Sequence, residues 1–235
     1  LDDSKIKINE IIRKYSYKMD SVRYDTDEGV EFFNSSELAK KERDYQMSDE
    51  VDIIYPLGLN ITDEANHCGG APTPSVNYLL APPKHGKTTL LYHILKKNLA
   101  RGRTSLLCTI EIPTKEANRK IYAGYSDLEY KKIVNKTLTE AELNHYIDSI
   151  NDFENKYKDQ FYMLYSSAGL TVKDIESYIL SLRKAGIVIE DVYIDYLTLL
   201  NSVDGNKRSM VEKLMSLPKE VREMSQRTNT RVIIP

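Results

Sequence analysis

Hydrophobic and polar positions follow two regimes along this chain, and the change falls near residue 51. In the first regime charges are dense and long apolar runs are missing. Its one periodic signal is Ile8, Ile11, Ile12, Tyr15 and Met19, whose roughly helical spacing predicts an amphipathic helix between Lys5 and Met19 with an apolar face in need of a partner. A second, shorter helix is expected to run through Tyr45 with Ser35 or Ser36 as its cap, and the polar stretch to Glu50 reads as a linker. From Val51 onward short apolar runs alternate with helical segments, the pattern of βα units around a largely parallel sheet.

Within that second regime, Val76 to Leu80 is a strand and Lys87 to Leu99 a helix with Leu90, Leu91, Ile94 and Leu95 on one face, ended by Gly102. Ser105 to Ile110 is the next strand. Thr139 and Glu142 have capping-box spacing, with Leu143, Tyr146, Ile147 and Ile150 following at helical intervals. Phe161 to Tyr165 reads as a third strand. Thr171 caps a helix with Asp174 at its third position, with Ile175, Tyr178, Ile179 and Leu182 facing the core and Gly186 beyond its end. Val192 to Asp195 is a fourth strand, Ser209 to Arg227 a helix kinked at Pro218, and Val232 to Ile234 a fifth strand. The expected architecture is α/β: a mostly parallel central sheet flanked by helices over residues 51–235, preceded by a helical arm over residues 1–50.

Composition changes this picture little. Of the 235 residues 41% are hydrophobic and 29% charged, which places the chain in the ordinary globular range. No apolar stretch approaches the roughly 20 residues a spanning helix needs, and the N-terminus carries no secretory signal. Cys68 and Cys108 have no metal-ligand spacing, which fits a reducing, cytoplasmic setting. The formal net charge of -2 gives no global basic field, so any nucleic-acid contact must come from a local patch or a ring of subunits. The absent initiator Met and the ending inside a strand suggest a fragment.

The chemistry begins at Ala81-Pro82-Pro83-Lys84-His85-Gly86-Lys87-Thr88, a phosphate-binding loop pattern with Ala in place of the first Gly, set between a strand and a helix. Backbone N–H groups from about His85 to Thr89 would cradle phosphates, Lys87 would neutralise the β- and γ-phosphates, and Thr88 would ligate Mg²⁺. Asp195 ends an apolar strand where a residue of the metal shell belongs. Glu111, at the tip of the strand that follows the loop helix, reads either as a general base for hydrolysis or as a solvated strand-end carboxylate. Lys207 and Arg208, in the polar loop after Asp195, read either as phosphate contacts or as a solvated basic pair. Most of the 17 tyrosines read as packing residues rather than stacking platforms.

Taken in order, these segments resemble the DnaB-type, RecA-like ring helicases, especially those of tailed phages. The resemblance covers about residues 66 to 235 and rests on Gly69-Gly70, Ala81-x4-Gly86-Lys87-Thr88, Ile110-Glu111-Ile112-Pro113, Ile194-Asp195-Tyr196-Leu197, and Val221-Arg222-Glu223-Met224 with Thr230-Arg231-Val232-Ile233. It implies a RecA-like ATPase that uses ATP and Mg²⁺, with Glu111 as catalytic base and Asp195 coordinating the Mg²⁺ shell. Lys84, His85, Gly86, Lys87, Thr88 and Thr89 then hold the nucleotide. It further implies translocation on single-stranded or forked DNA by a homo-hexamer, whose N-terminal arm joins neighbours, with a primase or a loader as further partners. A strand-exchange recombinase and a P-loop ATPase serving as loader or regulator remain as alternatives, although Tyr196 after the Asp favours the helicase branch.

Overall fold

The computed structural model describes residues 34–48, 54–59, 63, 69–82, 84–110, 112–167, 169–197, 200 and 210–235. The chain divides into two units, Leu1–Val51 and Asp52–Pro235. In the first, helix α1 (Ser35–Gln46) starts from a reciprocal capping box. The cap is Asn34 rather than Ser35 or Ser36: its Oδ1 accepts from the Glu37 N–H at 2.9 Å, while Glu37 Oε2 accepts from the Asn34 N–H at 3.0 Å. None of its residues is buried. The helix expected between Lys5 and Met19 lies outside the described residues.

The second unit holds β1 (Ser75–Tyr78), α2 (Lys87–Ala100), β2 (Ser105–Thr109), α3 (Thr114–Ser126), α4 (Tyr130–Asn135), α5 (Glu140–Tyr157), β3 (Phe161–Tyr165), α6 (Val172–Lys184), β4 (Asp191–Asp195), α7 (Met210–Thr228) and β5 (Arg231–Ile234). The five strands form one parallel sheet in the order β1-β5-β4-β2-β3. Ser75, Arg231, Asp191, Ser105 and Phe161 stand in one row at its start. Parallel register therefore brings all the C-terminal strand ends to one rim, the rim at which α/β sheets bind ligands.

Strand alternation divides the core into two layers. Leu106, Cys108, Val192, Ile194, Val232 and Ile234 face Ile175 and Ile179 of α6 and Leu217, Val221 and Met224 of α7. Leu107, Tyr193 and Ile233 face Leu91, Ile94, Leu95 and Leu99 of α2, Ile121 of α3, and Phe153 and Tyr157 of α5. Burial on both faces explains why these strands read as continuous apolar runs. Burial also pushes the Cys108 thiol well above its ordinary pKa.

Several expectations are corrected by the packing. Leu90 sits at the exposed margin of α2, since the buried face turns through Leu91, Ile94, Leu95 and Asn98. On α5, Leu143 and Ile147 are exposed and the buried positions are Ser149, Phe153 and Tyr157. That rotation follows from an aromatic cluster in which Phe153 makes edge contacts with Tyr122, Tyr125, Tyr157 and Phe161. Helices α3 and α4 were not anticipated, while the capping boxes at Thr139 and Thr171 form as expected. Pro218 lies inside α7.

At the start of the sheet, the fully buried Asp191 carboxylate takes two guanidinium groups at once. Arg103 donates to it through Nε (2.8 Å) and Nη2 (2.6 Å), and Arg231 through Nε (2.9 Å) and Nη2 (2.8 Å). Bidentate pairing on both sides satisfies charges that burial would otherwise make costly. The same arginines hold the segment before β1: Arg231 Nη1 donates to the Tyr55 carbonyl at 2.6 Å, and the Arg103 guanidinium lies 3.7 Å from the Tyr55 ring centroid. Tyr55 in turn bridges Ala71, and Gly70 passes so close that a Cβ there would stand 2.3 Å from the Tyr55 carbonyl oxygen.

Candidate nucleotide site

The phosphate-loop sequence lies between β1 and α2 at the C-terminal rim. Gly86 is the N-cap of α2 with φ +78, a left-handed conformation that costs an L side chain about 1–2 kcal/mol. It supplies no side-chain cap, so the first-turn N–H groups remain for an anion, with the helix dipole favouring negative charge. Lys84 also adopts a positive φ, of 64°.

A cavity of about 510 Å³ opens here, lined by Lys84, Gly86, Lys87, Thr88, Asp195, Tyr196 and Pro235. Across it the Thr88 hydroxyl donates to Asp195 Oδ1 at 3.2 Å, joining the start of α2 to the end of β4. Asp195 is almost wholly buried, and the peptide that follows it, to Tyr196, is cis. One carboxylate and one hydroxyl are hard oxygen donors of the kind Mg²⁺ takes when phosphates and waters complete its octahedron. Among the described residues no group of three or more His, Cys, Asp or Glu forms a metal cage. The donor set fits a phosphate-borne Mg²⁺.

The fold thus brings together five of the residues singled out from sequence: Lys84, Gly86, Lys87, Thr88 and Asp195. His85 is exposed in the loop, outside the cavity lining. Thr89 lines an adjoining groove of about 600 Å³ between α2 and α3, which shares Thr88 with the cavity. Glu111, Lys207 and Arg208 lie outside the described residues. Tyr196 and Pro235 join the lining although nothing in the motif nominated them as wall residues; their place at the ends of apolar strands was the available signal.

The family model for the DnaB-like helicase C-terminal domain matches residues 59–235. The chain belongs to that family. As a DnaB-like helicase domain it is an enzyme of the ATP-hydrolysing helicase class, which decides between the helicase and strand-exchange branches. Solved structures agree on the fold. One of them, an ATPase domain, superposes on the DnaB-like domain with a TM-score of 0.70 at 17% identity, over 87% of this chain and 71% of that one. A DnaB-like replicative helicase, solved for its interactions with primase, gives 0.71 at 16% identity, over 95% of this chain and 52% of that one. The chain therefore spans about half the length of that helicase. Comparison with curated protein sequences returns no significant match. No helix among the described residues is long and apolar enough to cross a membrane.

Proposed function

We propose that this domain binds ATP with Mg²⁺ and hydrolyses it to drive translocation along single-stranded DNA and the unwinding of forked duplex. The observation that carries the reading is the Thr88–Asp195 hydrogen bond across the cavity that Lys87 lines. Lys84, Gly86, Lys87, Thr88 and Thr89, with the backbone at His85, hold the phosphates; the Lys87 ammonium draws the β- and γ-phosphates into register. Thr88 and Asp195 hold Mg²⁺, which neutralises charge on the phosphate oxygens when bound. The Glu111 carboxylate orients a water in line with the γ-phosphate and accepts its proton. Lys207 and Arg208 contact the DNA backbone.

Six copies form the working ring, joined through the arm of residues 1–50, with residues 51–235 as the motor; primase or a loader is a further partner. The role is replicative and of the tailed-phage kind, in the host cytoplasm. A ring places several such cation pairs around one strand, so a chain of net charge -2 still presents a basic channel. The test is a strand-separation assay with the full-length protein, ATP, Mg²⁺ and forked DNA. Hexamer formation and unwinding are expected; ATP turnover without either would favour a loader or regulator.

A further inference from the structure

The two walls of the nucleotide cavity differ in what they offer an anion. One is the phosphate loop with the start of α2, which brings Lys84, Lys87, the Thr88 hydroxyl and the first-turn N–H groups. The other is built at the strand ends from Asp195, Tyr196 and Pro235. Asp195 is a carboxylate that accepts from Thr88, and a proline carries no N–H. Among the described residues of that wall, Tyr196 therefore brings the one neutral side-chain donor, a phenolic hydroxyl.

Tyr196 reaches the cavity against the rhythm of its strand. Along β4, Val192 and Ile194 face the layer of α6 and α7, while Tyr193 faces α2. Alternation puts Asp195 on the α2 side, where it meets Thr88, and would return residue 196 to the layer of α6 and α7. Leu197 fills that layer instead, and Tyr196 stands half-buried in the cavity wall beside Asp195. A purely apolar side chain would close the wall as well; tyrosine adds a polar end to an apolar body.

We propose that Tyr196 is a contact for the terminal phosphate: its phenolic O–H donates to a γ-phosphate oxygen, and the site thereby tells ATP from ADP. The inference rests on the reading of this cavity as an ATP site. The loop and Lys87 enclose the phosphates from their own side, so the strand-end wall meets the phosphate that projects furthest from the loop, the γ-phosphate. A Mg²⁺ held by Thr88 and Asp195 bridges β- and γ-oxygens, which brings the γ-phosphate to the residue that follows Asp195. ADP has no group at that place.

The test is a calorimetric titration of the full-length protein, in Mg²⁺, with ADP and with a non-hydrolysable ATP analogue. Tyr196→Phe keeps the ring and removes only the hydroxyl. It is expected to weaken the analogue about tenfold or more, the loss of one hydrogen bond to a charged group, and to leave ADP within about twofold of the wild type. Retained ADP binding also shows that the variant is folded. Analogue affinity within about twofold of the wild type overturns the inference, and so does an equal loss for both nucleotides, which marks Tyr196 as wall packing. Lys87→Ala, titrated in parallel, separates the claims. If it binds both nucleotides as the wild type does, the reading of the ATP site fails and takes the inference with it; if it loses them while Tyr196→Phe does not discriminate, the inference alone fails.

Discussion

The Thr88 hydroxyl and the Asp195 carboxylate meet at 3.2 Å although 107 residues separate them in sequence. Residues that act as one unit give non-additive losses. Thr88→Ala and Asp195→Asn should each lower Mg²⁺-dependent ATP turnover by about 10²-fold or more, and the double variant should be no worse than the poorer single one. Steady-state ATPase rates across a Mg²⁺ titration check this; additive losses would mean that the two act on separate steps.

Asp191 answers two buried guanidinium groups. Its removal in Asp191→Ala leaves both without an anion and should cost about 3–5 kcal/mol of stability in urea denaturation. Replacing the whole cluster with Arg103→Met, Asp191→Leu and Arg231→Met should recover most of that loss, because no buried charge then remains. A triple variant as unstable as the single one would refute this account.

Gly69 and Gly70 need glycine for different reasons, and substitutions tell them apart. Gly69 has φ +79 with open space around it, so Asn, which visits that conformation, should be nearly neutral there. Gly70 meets the Tyr55 backbone, which has no rotamer to yield, so Gly70→Ala should destabilise by about 1–3 kcal/mol or more. Thermal denaturation of the two variants side by side checks the contrast.

The contact between α4 and α5 has a definite pH window. The Lys132 ammonium and the Thr139 N–H both donate to Glu142, and the Lys132 hydrogen bond is the main cause of its carboxyl being held down at about 2, from an ordinary 4.5. A depressed carboxyl pKa contributes stability above the unfolded-state value, and that contribution is lost as pH falls through the folded-state value. The contact should therefore be intact at pH 7, with its contribution falling away from about 4.5 down to about 2. An NMR titration of the Glu142 side-chain carboxyl checks this; a midpoint near 4.5 would contradict it.

Strands and capped helices were legible because their signals are local. Thr139 and Thr171 announce their helices within four residues, and the inner strands β2, β4 and β5, buried on both faces, are mostly apolar runs. Helix α3 escaped because Pro113 at its cap offers no side-chain bond and its buried residues, Ala117, Ile121, Ala123 and Ser126, are mostly small. On α5, the apolar spacing of Leu143 and Ile147 pointed to a face that the aromatic cluster around Phe153 overrides. The site divides in the same way. Its loop is contiguous and readable, whereas the partnership of Thr88 with Asp195 depends on strand order. The Asp191 cluster was missed because isolated charges read as surface; the usable signal was that Asp191 and Arg231 stand at the start of apolar strands and Arg103 two residues before one.

Cys108 lies fully buried in the middle of the sheet, with its thiol pushed toward the unreactive protonated form by desolvation. Only an opening that exposes β2 lets a thiol reagent reach it, so labelling of this one side chain, located by peptide mapping, acts as a clock for unfolding of the sheet. Adding nucleotide slows that clock only if binding stabilises the closed sheet. A residue with no place in the chemistry thereby becomes a built-in reporter of ligand binding, readable without a dye, a tag or a turnover event.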